Sequence, residues 1–202
     1  MIDRQMRDRL VDFHGHMCPG LAMGIQAAQI ALDEFGPDDT DDALVAVVET
    51  DMCAVDAIQF MTGCTVGRGN LIHRDHGKNA YTFSGRKSGR AVRISAKPGA
   101  WRRDPEHSRL FAKVLAGEAS VDEEARLWEL HHRESDRILE TDPGEIFEVS
   151  DVDSPPEPKR QIHPSVPCAE CGEETQEPKL TDVDGRRLCT ACLGRVVAQP
   201  IA

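Results

Sequence analysis

The chain has 202 residues, a formal net charge of −11, and 40% hydrophobic against 29% charged residues, the balance of a globular chain. It holds no run of about 18 apolar residues and no apolar stretch behind Met1, so it reads as neither membrane-spanning nor secreted, and a cytoplasmic protein is expected. The acid excess argues against a nucleic-acid partner, and 4% aromatic residues offer no platform for stacking bases.

In chain order, Met6, Leu10 and Phe13 recur at spacings of four and three, one face of a short helix over Ile2–Asp12. The loop Phe13-His14-Gly15-His16-Met17-Cys18-Pro19-Gly20 follows. His and Cys are ligands for soft and borderline metals, and they also form nucleophile–base pairs. Gly15 lets the backbone bend between the imidazoles, and Pro19 is pre-set for the first turn of a helix. Cys18 is thus expected just before a helix N-terminus, where the dipole favours its thiolate. Cys18 and His16 are the expected primary pair, as ligands or as nucleophile and base, with His14 orienting or ligating beside them.

Pro19–Phe35 reads as a helix, with Leu21, Ile25, Ala28 and Leu32 as its stripe and Gly36-Pro37 as its stop. Asp38–Asp42 reads as a solvated acidic turn. Leu44–Glu49 is a short β-branched apolar run, the pattern of a buried strand, and it feeds a helix over Ala54–Met61 that ends at Gly63. That places Asp51, Met52 and Cys53 at the carboxyl edge of a strand, where sites in open α/β sheets form. Asp51 is then a candidate to orient an imidazole. Cys53 and Cys64 flank a helix of about nine residues, roughly 14 Å long, so they are expected to border one pocket without sharing one ion. The glycines of Thr65–Leu71 complete no phosphate-binding fingerprint. Ile72–Asn79, with His73, Asp75 and His76, reads as a polar loop. A hairpin is expected over Ala80–Ser84 and Ala91–Ala96, helices over Asp104–Ala116 and Val121–Leu139, and a strand over Glu145–Val149. On the second helix, Trp128 is read as packing, and His131 and His132 as surface residues.

Ser154–Pro167 holds five prolines among polar residues and reads as a semi-rigid linker. Beyond it, Cys168-Ala169-Glu170-Cys171 and Cys189-Thr190-Ala191-Cys192 are two C-x-x-C pairs seventeen residues apart. Four thiolates satisfy tetrahedral zinc, and this is zinc-ribbon spacing. Between the pairs, Asp184-Gly185 marks a hairpin turn joining Leu180–Val183 to Arg186–Leu188. About 30 residues build no core of their own, so metal is expected to hold the module folded. Two redox disulfides are the alternative, without a thioredoxin-like context to support them.

The series His14-Gly15-His16-Met17-Cys18-Pro19-Gly20-Leu21-x-x-Gly24, Cys53–Gln59, Thr62–Leu71 and Asp75-His76-Gly77-Lys78 resembles the formylmethanofuran dehydrogenase FmdE family across roughly residues 5–150. The resemblance implies an α+β core, a homodimer, and a Cys/His pocket for a transition metal. It also implies an accessory role beside a molybdenum or tungsten enzyme, rather than the dehydrogenase chemistry itself.

The expected layout is therefore an α+β core of helices on a small mixed sheet (1–153), a linker (154–167) and a zinc-ribbon domain (168–202). Zinc is expected on Cys168, Cys171, Cys189 and Cys192. A second transition metal is expected in the core among His14, His16, Cys18, Cys53 and Cys64. The alternative is a ribbon that docks a protein partner or regulates transcription, on a core that supplies stability alone. Whether the core is an enzyme stays open at this point.

Overall fold

The computed structural model describes residues 2–36, 43–100, 104–153 and 161–197. The acidic turn expected at Asp38–Asp42, linker residues 154–160 and the final residues 198–202 lie outside them. The chain divides into two compact units, Met1–Lys159 and Arg160–Ala202. No helix among the described residues is long and apolar enough to cross a membrane.

The first unit opens with α1 (Arg4–His14), capped by the Asp3 carboxylate, which accepts from Met6 N at 2.7 Å, and closed by Gly15 at φ 97°. α2 (Pro19–Phe35) has Cys18 as its N-cap and Pro19 in its first turn, as the sequence predicts. It buries eleven of its seventeen residues, packing on several sides at once, so its small residues matter as much as its apolar stripe. A Cβ on Gly24 would lie 2.3 Å from the Ala54 carbonyl oxygen and one on Gly20 would lie 3.1 Å from Cys53 Cβ. These two glycines let α2 cross α3 (Ala54–Thr62) at backbone contact.

β1 (Leu44–Val48), β2 (Leu71–His73), β3 (Ala80–Gly85), β4 (Ala91–Ala96) and β5 (Phe147–Asp151) form one sheet in the order β2-β1-β3-β4-β5. β1 runs parallel to β2, Ala46 opposite Leu71, and antiparallel to β3, Ala46 opposite Phe83. β3–β4 and β4–β5 are antiparallel, with Phe83 opposite Val92 and Ile94 opposite Val149. The short β2 falls at the start of the stretch expected to be loop, since three residues show no readable alternation. Leu44, Val48, Tyr81, Phe83, Val92 and Ile94 meet Ala22, Met23, Ala27 and Ile58 in the main core.

α4 (Pro105–Leu115), α5 (Val121–Glu140) and the single turn α6 (Pro143–Ile146) complete the unit. A reciprocal capping box between Ser120 and Glu123 starts α5. α4 and α5 share a small cluster of their own, Leu110, Leu127 and Leu130, and α5 also packs along α2.

The second unit holds a hairpin of β6 (Ser165–Pro167) and β7 (Glu174–Gln176), then a hairpin of β8 (Leu180–Val183) and β9 (Arg186–Cys189), then α7 (Thr190–Val197). The β8–β9 turn is the expected Asp184-Gly185, at φ 51° and 76°. β6 lies inside the stretch expected to be linker, and α7 is an element the sequence does not predict.

Candidate metal centre

Three helix ends converge on one spot. α1 delivers His14 as its last residue, the N-terminus of α2 delivers Cys18, and the N-terminus of α3 delivers Cys53. His16 sits in the loop between α1 and α2. The donor atoms of His14, His16 and Cys18 lie within 4.8 Å of one another, a spacing from which three side chains can reach one ion. The two histidine rings stand 4.7 Å apart by centroid.

His14 is held from behind. Its Nδ1–H donates to Asp56 Oδ2 at 2.7 Å, which leaves Nε2 facing Cys18 Sγ at 4.0 Å. A ligating histidine is commonly fixed through its second nitrogen in this way, and the carboxylate raises the basicity of the first. Asp56 lies in the first turn of α3. The carboxylate that does this work is thus Asp56, and not the expected Asp51, which is exposed in the turn ahead of that helix.

Cys18 is almost fully buried, and its sulfur accepts from Leu21 N at 3.3 Å. The Cys18 and Cys53 thiols interact through a side-chain hydrogen bond. The Cys53 thiol is pulled down to about 5, first by that hydrogen bond, with burial opposing and the nearby His14 assisting. Cys18 is pushed up, first by the same bond and then by burial. The shared hydrogen bond thus favours the thiolate on Cys53 over Cys18. The cap does act on Cys18, but two adjacent sulfurs cannot both ionise cheaply without a metal.

Cys64 is not brought to this site. Its sulfur is fully buried in the main core and donates to the Leu44 carbonyl at 3.5 Å, and burial raises its pKa. Thr62 and Gly63 turn the chain inward at the far end of α3, so Cys64 fills a core position instead of a pocket wall.

The cluster borders a cleft of about 450 Å³ lined by His14, Cys53, Asp56, Asp51, Met52 and His73, with Val48, Val55 and Leu71 as apolar wall. The cleft lies past the carboxyl ends of the parallel pair β1 and β2, the expected place for a site in such a sheet. His16 packs edge-on against Trp128 at 5.4 Å, and Trp128 meets His131 at 5.5 Å. His131 is not a surface residue as expected: its ring lies 4.6 Å from that of the buried His107.

The second unit gathers Cys168, Cys171, Cys189 and Cys192 with all four sulfurs within 4.8 Å of one another. The first pair comes from the β6–β7 hairpin loop, and Gly172 N closes it onto the Cys168 carbonyl at 2.9 Å. The second pair comes from the end of β9 and the first turn of α7. Cys189 N donates to Cys168 Sγ at 3.3 Å. Backbone N–H groups of Cys171, Cys189 and Glu170, in that order, bring the Cys168 thiol down to about 6. Arg195 Nη2 donates to Cys192 Sγ at 3.2 Å.

A family model described as FmdE, molybdenum formylmethanofuran dehydrogenase operon, matches residues 13–148. The chain belongs to the FmdE family. A similar solved structure is a tungsten formylmethanofuran dehydrogenase FmdE-like protein from Syntrophus aciditrophicus, with TM-score 0.61 and 22% identity, covering 95% of this chain and 91% of that one. At that identity it supports the fold. A curated relative from Archaeoglobus fulgidus, a probable S-adenosyl-L-methionine-binding protein, is 33% identical over 198 residues, 94% of this chain. The chain spans about half of that relative's length, 53%. The FmdE match covers the whole core cluster, and the four-cysteine unit lies beyond it.

Proposed function

We propose that this FmdE-family protein is a metal-binding accessory protein with two centres: a core site on His14, His16 and Cys18 beside Cys53, and a structural zinc on the four cysteines of the second unit. The observation that carries the core site is the triplet of donor atoms within 4.8 Å, with the spare nitrogen of one donor fixed on Asp56. Three protein ligands would leave a coordination position free, and His14, with Cys53 beside it, lines a cleft. That is the arrangement of working sites, whereas structural sites are closed by four side chains. A mixed N/S set suits zinc, iron, nickel or copper. Such an ion would act as a Lewis acid or redox centre toward a molecule in the cleft. Asp56 would hold the His14 ring in place, and Met52 and the valines would exclude water from the apolar wall.

The second unit fits zinc on chemistry alone, four thiolates with backbone N–H groups on Cys168. Its surface favours a protein partner over nucleic acid. Arg186 pairs with Glu170 and Arg187 with Glu177, so two of its basic groups are already neutralised. All seven cysteines are free thiols, which suits a reducing cytoplasm. A homodimer stays part of this reading through the family resemblance. S-adenosylmethionine binding is a description of the Archaeoglobus relative, of whose length this chain spans 53%, and is not part of this reading.

The test is elemental analysis of the full chain purified without oxygen. The wild type should carry two metal equivalents, and Cys18→Ser and Cys171→Ser should each lose one. A Cys18→Ser protein that kept both equivalents would overturn the core site.

A further inference from the structure

Cys18 and Cys53 stand side by side at the N-termini of α2 and α3, and their thiols share a hydrogen bond. Gly20 makes the approach possible. A Cβ on that residue would lie 3.1 Å from Cys53 Cβ, 3.7 Å from Cys53 Sγ and 3.8 Å from Cys18 Sγ, so both sulfurs rest on its bare side. The two thiols differ in access. Cys53 lines the cleft with Asp51, Met52 and His73, whereas Cys18, only 5% exposed, does not line it.

An accessible thiol with a second thiol against it is the arrangement in which a cysteine sulfenic acid condenses to a disulfide before it is oxidised further. His14 completes it, with Nδ1 held by Asp56 and Nε2 facing Cys18 Sγ at 4.0 Å, a place for the Cys18 proton. Cys64 takes no part, because it is buried in the main core with its sulfur on the Leu44 carbonyl. The four cysteines of the second unit are gathered on one another.

We propose that Cys53 and Cys18 form a peroxide-reactive dithiol, Cys53 meeting the peroxide in the cleft and Cys18 closing the disulfide. With hydrogen peroxide, the Cys53 sulfur attacks one oxygen, the O–O bond breaks, and the departing hydroxide leaves as water with the thiol proton. The Cys18 sulfur then attacks the sulfur of the Cys53 sulfenic acid. The S–O bond breaks, and the hydroxyl leaves as a second water with the Cys18 proton passed on by His14. Two thiols are oxidised to one disulfide, and one peroxide is reduced to two waters. The disulfide takes Cys18 Sγ out of the donor triplet, so closing it would release an ion held there. That consequence alone rests on the metal reading, and the dithiol chemistry needs no ion.

The test treats the full chain, stripped of core metal by a chelator, with hydrogen peroxide in wild type, Cys18→Ser and Cys53→Ser. Every cysteine is then mapped by mass spectrometry, with dimedone added to parallel samples to trap sulfenic acid. Serine is itself a favoured N-cap, so Cys18→Ser keeps the start of α2. Wild type should yield a Cys18–Cys53 disulfide that dithiothreitol reverses, with Cys64 untouched. Cys18→Ser should carry the dimedone adduct on Cys53, and Cys53→Ser should carry none on Cys18. A wild type without that disulfide, a Cys53→Ser protein labelled on Cys18, or a Cys64 that reacts as fast as Cys53 would each overturn the proposal. Metal content, measured on the untreated chain, decides the metal reading separately: a core without metal that still forms the disulfide refutes that reading and supports this one.

Discussion

Gly24→Ala is the sharpest test of how the core site is built. An added Cβ would sit 2.3 Å from the Ala54 carbonyl oxygen and 2.6 Å from Ala54 Cα, both of them backbone atoms that no side-chain rotation relieves. Ordinary contact begins near 3.4 Å, so α2 and α3 must separate by about 1 Å. Overpacking of this kind costs about 1–3 kcal/mol. The displacement falls on the two helices whose N-termini carry Cys18 and Cys53, so it also opens the ligand cluster. A shift of about 1 Å at a positioned site can cost on the order of a hundredfold in function. Urea denaturation should show a lower midpoint with unchanged slope, and a chelator competition should show core-metal affinity falling by at least tenfold. The second unit should keep its metal. Wild-type stability and wild-type core affinity in Gly24→Ala would refute the claim that these glycines set the site.

Asp56→Asn should weaken core-metal binding by about 10–100-fold in the same competition while barely moving the denaturation midpoint, because the group orients His14 without filling the core. Cys64→Ser should do the reverse: full metal content, with stability down by about 1–2 kcal/mol in urea, since it places a hydroxyl in an apolar site. Glu49 controls the acid limb. Burial raises its pKa, but hydrogen bonds from Arg93 and His76 outweigh this and hold the carboxyl below its usual 4.5. Its stabilisation is therefore present above pH 4.5 and is lost as pH falls through the lower folded value. Glu49→Gln should cost about 1–3 kcal/mol at pH 7, and its urea midpoint should fall less between pH 5 and pH 3 than that of wild type.

Much of this is legible in the sequence because it is local. The start of α2 is written in Cys18-Pro19, the buried strand β1 in an unbroken apolar run, and the β8–β9 turn in Asp184-Gly185. The four-cysteine unit is written in its spacing, although nothing in the cysteines announces that the second pair enters a helix. What escapes reading depends on contacts far apart in sequence. Asp56 meets His14 across 42 positions, and in sequence nothing ties the one acid of that short helix to a histidine so far away. The glycines at 20 and 24, four apart, signal a close helix crossing, but they do not name the backbone that comes against them. Cys64 carries the same chemistry as Cys53, and only the turn at Thr62-Gly63 decides that it faces the core. His131 reads as solvent-facing because its neighbours on α5 are charged, and it is α4 that covers it with His107.

The two cysteine clusters show why one residue type supports two kinds of site. In the second unit three of the four cysteines, Cys168, Cys189 and Cys192, with Leu188, make up the buried cluster. Metal there, as proposed, would stand in for a core that so short a segment cannot build. In the first unit the candidate donors come from three helix ends and the loop between α1 and α2, and the helices are positioned by packing: α2 against α3 at Gly24 and Ala54, and both against the sheet. A core that is already closed does not require a fourth ligand for its stability. An ion bound there, as proposed, would need no fourth protein ligand, and His14 and Cys53 line the cleft beside it.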